Sequence, residues 1–118
     1  MRFSYAEDHF AAEDEALAEI AARGWHGVAL DVVGQEEDLH WHEFDSVVFV
    51  VNGMAAAECE DGTVEEARAG TRIEAPAGVV HRDVAGSSYR AVFGFSVDPA
   101  EMSQPVNKPL PVSSEYVE

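Results

Sequence analysis

Residues 40–51 read HWHEFDSVVFVV, and this stretch decides the fold. Its second half, Val47–Val51, is an unbroken apolar run, mostly β-branched. Such a run suits a strand buried on both faces. Its first half sets His40 and His42 two residues apart. On an extended chain those side chains share a face, so two imidazoles can reach one point. Downstream, Asp61-Gly62 separates Met54–Glu60 from Thr63–Ala69 as a tight hairpin turn. Ala69-Gly70 and Pro76-Ala77-Gly78 mark further turns. Val79–Val84 and Tyr89–Val97 read as strands, the latter with Tyr89, Ala91, Phe93, Phe95 and Val97 on one face. Upstream, Trp25–Val33 alternates. At least six short strands punctuated by Gly and Pro predict an all-β antiparallel sandwich or barrel.

Two histidines on one strand need a third nitrogen from a neighbouring strand to hold a metal. His81 is the candidate, since it follows the Pro76–Gly78 turn at the start of a strand. Imidazole ligands suit Zn, Fe, Ni and Cu. His26 shares a strand face with Val28, Leu30 and Val32 and is expected at the barrel mouth, while His9 lies on an acidic segment and is expected to face solvent.

Residues 6–23 carry Phe10, Leu17 and Ile20 on one helical stripe and acids on the other, so one helix is predicted there. Ser4 is its expected N-cap, with Glu7 completing a capping box and Gly24 as the stop. The tail from Asp98 holds four of the five prolines and is expected to be extended. Val106, Leu110, Val112, Tyr116 and Val117 give it apolar side chains to lay over the barrel or a partner copy. The expected organisation is therefore an N-terminal helix and arm (1–24), a β-barrel (25–97) and a proline-rich tail (98–118).

The 118 residues include 23 acids and 7 basic residues, a formal net charge of -16. That balance argues against a nucleic-acid partner and against an anionic membrane surface. No apolar run approaches the ~20 residues of a spanning helix, and no basic, then apolar, leader opens the chain. A cytoplasmic location is the expectation. The single cysteine, Cys59, excludes an internal disulfide and is expected to be a structural thiol.

Residues 34–53, GQEEDLHWHEFDSVVFVVNG, and 70–81, GTRIEAPAGVVH, resemble the two motifs of the cupin superfamily, G-x5-H-x-H-x3-E-x6-G and G-x5-P-x-G-x2-H-x3-N. Gly34, His40, His42 and Gly53 match the first; Gly70, Pro76, Gly78 and His81 match the second. The resemblance implies a double-stranded β-helix of the cupin or jelly-roll type with a metal inside it. The family's glutamate ligand falls at Ser46 and its final asparagine at Ala85. Strand parity turns Glu43 and Asp45 away, and only a bulge would bring Asp45 inward. The resemblance thus implies a three-histidine site, His40, His42 and His81, as in some cupin dioxygenases.

Three neutral ligands leave a divalent ion its full formal charge, which favours an anionic chelating substrate. The expected cofactor is one divalent transition metal: Fe, Mn, Ni or Zn. Phe44, Ser46 and Phe93 are the expected substrate pocket. Asp83 faces inward by parity and is the candidate acid/base group, provided it lies inside the rim. Arg72, Arg82 and Arg90 are expected to pair with the many acids. Two functions are carried forward: a dioxygenase-like metal-dependent oxidoreductase, and a non-catalytic small-molecule-binding or sensing cupin. A homodimer is expected, because one barrel interior buries only one face of VVFVV.

Overall fold

The computed structural model describes residues 2–116. Seven strands and one helix follow in the order β1 (Ser4–Ala6), α1 (Glu13–Ala22), β2 (His26–Val33), β3 (Ser46–Cys59), β4 (Val64–Arg68), β5 (Arg72–Ala75), β6 (His81–Asp83) and β7 (Ser88–Phe95). All pairings are antiparallel, and the main path runs β1-β5-β3-β7-β2, with β4 and β6 both on β3. No helix among the described residues is long and apolar enough to cross a membrane.

The long strand β3 organises the barrel. Its first part, from Ser46, pairs with β5 and β7; its last part, to Cys59, pairs with β4 and β6. Between them the register with β7 shifts at Val50/Asn52. A bulge bends a strand and sharpens its twist, so one strand serves both halves. Gly53 sits at the bend with φ +79°, and a Cβ there would lie 2.4 Å from the Ser88 carbonyl oxygen. Only glycine satisfies both conditions.

The apolar run is buried on both faces, as its composition predicts. Val47 and Phe49 face outward onto Ala16 and Ile20 of α1, while Val50 packs inward with Ala55, Ile73 and Ala91. Val47, Phe49 and Val50 are fully buried. One chain therefore covers both faces, and the run gives no reason to require a partner copy.

Two expectations need correction. The helix starts at Glu13 rather than residue 6, and Ser4 is not its cap: the N-cap is Ala12, without a side-chain bond. Residues 4–6 form β1 instead, with Tyr5 opposite Ile73. A non-local strand pairing outweighs a local capping pattern there, because it buries Tyr5 and completes a sheet edge. Trp41, between the two histidines, is covered by the chain's own tail. Its backbone pairs with Lys108, its Nε1–H donates to the Pro109 carbonyl at 3.0 Å, and its ring meets Tyr116 at 5.3 Å. The tail otherwise lies extended, with short 3-10 turns at Pro99–Glu101 and Ser114–Tyr116. Val117 lies outside the described residues.

Candidate metal centre

His40 and His81 face each other across an isolated antiparallel bridge. Each backbone N–H donates to the other's carbonyl at 2.9 Å. His42 continues the same segment, and its carbonyl accepts from Gly78 N–H at 2.9 Å. The two-residue spacing and this bridge bring the rings together. Centroids lie 4.6 Å (His40–His81), 5.1 Å (His40–His42) and 5.1 Å (His42–His81) apart. One nitrogen from each lies within 4.8 Å of the other two.

Every ring has its Nδ1 on a backbone carbonyl: His40 on Asp38 at 3.0 Å, His42 on Val106 at 3.0 Å, His81 on Val79 at 2.9 Å. A carbonyl only accepts, so each Nδ1 carries the proton and each Nε2 keeps its lone pair. Among the described residues no protein group hydrogen-bonds those Nε2 atoms. This is the arrangement by which proteins orient metal-ligating imidazoles. Burial lowers the His42 pKa and pushes His81 down to about 4, despite the carbonyl on each ring. Like-charge repulsion among the rings acts the same way. The His42 and His81 rings are thus neutral near pH 7, and the donor set fits a divalent transition ion.

The cluster opens into a cavity of about 330 Å³. Phe44 stacks on His42 at 5.1 Å and meets Phe95 edge-on at 5.7 Å. Ser46 and Phe93 also line the cavity. Among the described residues no carboxylate joins the three histidines. Asp45 is exposed, its Oδ1 accepting from Ala77 N–H at 2.8 Å, and Glu43 accepts from Ser103 and pairs with Lys108 outside the barrel. Asp83 lies inside the rim and lines the cavity. Burial, then the Glu37 carboxylate, raises its pKa, with His40 opposing.

His26 is exposed at the start of β2, away from the cluster, and exposed His9 pairs with Glu19 at 2.7 Å. Arg72, Arg82 and Arg90 bind Glu19, Glu58 and Glu13 outside the cavity. Cys59 donates to Glu65 at 3.3 Å, and burial with that carboxylate raises its pKa to about 11, which suits an inert thiol.

Several cavity residues escape a reading of motifs. Phe3 and Tyr5 come from the arm, Phe3 meeting His81 at 4.9 Å. The alternation of Phe3 and Tyr5 was the available signal. Glu37 and Tyr89 line the cavity, as do Met102, Val106 and Asn107 of the tail. Nothing in the tail's composition marks Val106 as the residue whose carbonyl orients His42.

No protein-family model matches the chain, and neither does any curated protein. Solved structures do. A DUF861-family protein from Thermotoga maritima superposes with TM-score 0.55 at 15% identity, over 78% of this chain and 97% of that one. The polyketide cyclase RemF from Streptomyces resistomycificus gives TM-score 0.55 at 22% identity, over 78% of this chain and 65% of its own. Protein NMB1881 from Neisseria meningitidis gives 0.51 at 26%, over 62% and 75%. The fold is that of a cupin-like β-barrel with one helix on its outer face.

Proposed function

We propose that this chain is a small metal-dependent enzyme of the dioxygenase type acting on a small chelating organic molecule. The observation that carries the reading is the set of three Nε2 atoms, each freed by a carbonyl on its Nδ1 and all facing one cavity. His40, His42 and His81 would hold the ion. A bound Fe, Mn, Ni or Zn supplies Lewis-acid chemistry, and the redox-active ones also oxygen chemistry. Phe44, Phe93 and Phe95 form an apolar wall that keeps bulk water from the reacting atoms and strengthens electrostatics there. Ser46, small and uncharged, leaves space beside the histidines. Asp83 is placed to accept or return a proton at the cavity wall.

The test is to load Fe(II) anaerobically, add candidate diketones and hydroxy acids, and admit oxygen. Oxygen uptake that disappears in His81→Ala supports the enzyme. Tight chelator binding without turnover, across Fe, Mn, Ni and Zn, would replace it with a binding or sensing cupin.

A further inference from the structure

The cavity has a second polar pole besides the histidines. Tyr89 is 8% exposed and lines the cavity. Among the described residues its hydroxyl has no hydrogen-bond partner. Asp83 and Glu37 line the same cavity, and after burial their charges raise the Tyr89 pKa. Glu37 Oε1 accepts from the Asp83 backbone N–H at 2.9 Å, which fixes the two acids next to each other. Neither acid joins the histidine cluster.

These two acids lack what the protein's other cavity carboxylate has. Glu65 is met by Arg2, Tyr5 and Cys59. The chain has seven basic side chains. All seven pair with other acids: Arg2 with Glu65, Arg23 with Glu19 and Glu74, Arg68 with Glu7 and Asp8, Arg72 with Glu19, Arg82 with Glu58, Arg90 with Glu13 and Asp31, and Lys108 with Glu43. Arg82 touches Glu37 only through its backbone carbonyl, at 3.3 Å. Among the described residues no Lys or Arg lines the cavity. A half-buried pair of acids with no side-chain cation of its own is costly, and an ammonium bound beside the histidine-held ion would offset that cost.

We infer that the ligand of this site is a chelator carrying a separate ammonium group, seated on Asp83, Glu37 and the Tyr89 hydroxyl. An ammonium offers three donors and no acceptor, which matches three acceptor groups at one pole. The chelating end then meets the histidine-held ion. The sequence pattern points to an anionic chelator; the two acids add a positive charge elsewhere on the same molecule. This inference rests on the metal-site reading above.

The test uses the full chain loaded with Zn(II), which does not oxidise the probes, and calorimetry under argon. Three catechols share one chelating head: dopamine carries an ammonium, 4-ethylcatechol no charge, and 3,4-dihydroxyphenylacetate a carboxylate. Dopamine should bind about tenfold or more tightly than 4-ethylcatechol, as expected for charge-assisted bonds, and the carboxylate should bind weakest. In Asp83→Asn and in Glu37→Gln, measured separately, the preference should fall below about threefold while Zn per chain stays unchanged. Equal affinities, a preference for the anion, or a preference that survives in either folded variant would overturn the inference. Zn-dependent binding of 4-ethylcatechol without gain for dopamine overturns this inference alone. Absence of any Zn-dependent catechol binding overturns the metal-site reading with it.

Discussion

The hydrogen bond from His42 to the tail makes metal affinity depend on a segment far away in sequence. Val106 lies 64 residues from His42, and its carbonyl accepts from Nδ1 at 3.0 Å. Two residues on, Lys108 N–H donates to the Trp41 carbonyl at 2.9 Å, and Trp41 N–H returns a bond to Lys108 at 3.2 Å. Lys108→Pro removes that donor and disfavours the backbone before it. Lys108→Ala keeps the backbone bond and deletes the ammonium, which pairs with Glu43 at 3.6 Å and donates to the Ser103 carbonyl at 3.1 Å and hydroxyl at 2.8 Å. The alanine variant should cost about 1–3 kcal/mol of stability, through the lost Ser103 bonds, and leave metal affinity unchanged. The proline variant should lose about 1 kcal/mol for the backbone bond. It should also weaken metal binding ~10–100-fold, the usual effect of removing an imidazole's outer partner, or about 1.4–2.8 kcal/mol. Competition of Zn(II) against a chromophoric chelator measures this, with Trp41 emission reporting release of the tail. A proline variant with a released tail and a metal Kd within about twofold of the parent would refute the reasoning.

Other outcomes follow from the same geometry. Ser46→Glu should tighten metal binding about tenfold or more by returning a negative charge beside the ion, whereas Asp45→Ala should leave metal content unchanged; the reverse pattern in metal analysis would show that Asp45 is the ligand. The apo protein should lose stability as pH falls from 6.5 toward 4. His81 has its pKa depressed to about 4 by burial, so its contribution, on the order of 3 kcal/mol, is present above 6.5 and lost as it protonates; urea midpoints flat across that range would contradict this. Gly53→Ala should destabilise by about 3 kcal/mol or more, since φ +79° and the 2.4 Å approach to Ser88 fall on backbone that cannot give way; thermal melts decide it. A homodimer would use the unpaired edge strand β2, where Val28, Leu30 and Val33 are exposed. Sedimentation equilibrium should then give twice the chain mass, reduced by Val33→Lys, and a monomeric parent would end that reading.

Much of the site was legible because its signals are local. The His40–His42 spacing and the turn before His81 need no knowledge of distant residues, and period-two parity correctly turns Glu43 and Asp45 outward. Most strands from Trp25 to Phe95 were legible for the same reason, but β5 (Arg72–Ala75) was not read, and Val47–Val51 and Met54–Glu60 prove to be one strand, β3. What escaped is non-local. Ser4–Ala6 becomes a strand only because β5 offers a free edge, a gain that local capping rules do not contain. Tyr89 shares the cavity with Asp83 through the pairings of β6 and β7 with β3, Glu37 reaches Asp83 from the loop before β3 by accepting its backbone N–H, and Val106 reaches His42 only because Trp41 anchors the tail. The partner argument from VVFVV overlooked how completely Ile20 and Ala16 cover Val47 and Phe49.

The central claim is that His40, His42 and His81 together hold one divalent transition ion. Its most direct test is the metal content of protein purified without added metal and then dialysed against Zn(II), compared with His40→Ala, His42→Ala and His81→Ala prepared alike. The account predicts about one ion per parent chain and a near-complete loss in each folded variant. Stoichiometric metal that survives all three substitutions, or a parent chain that retains none, would contradict it.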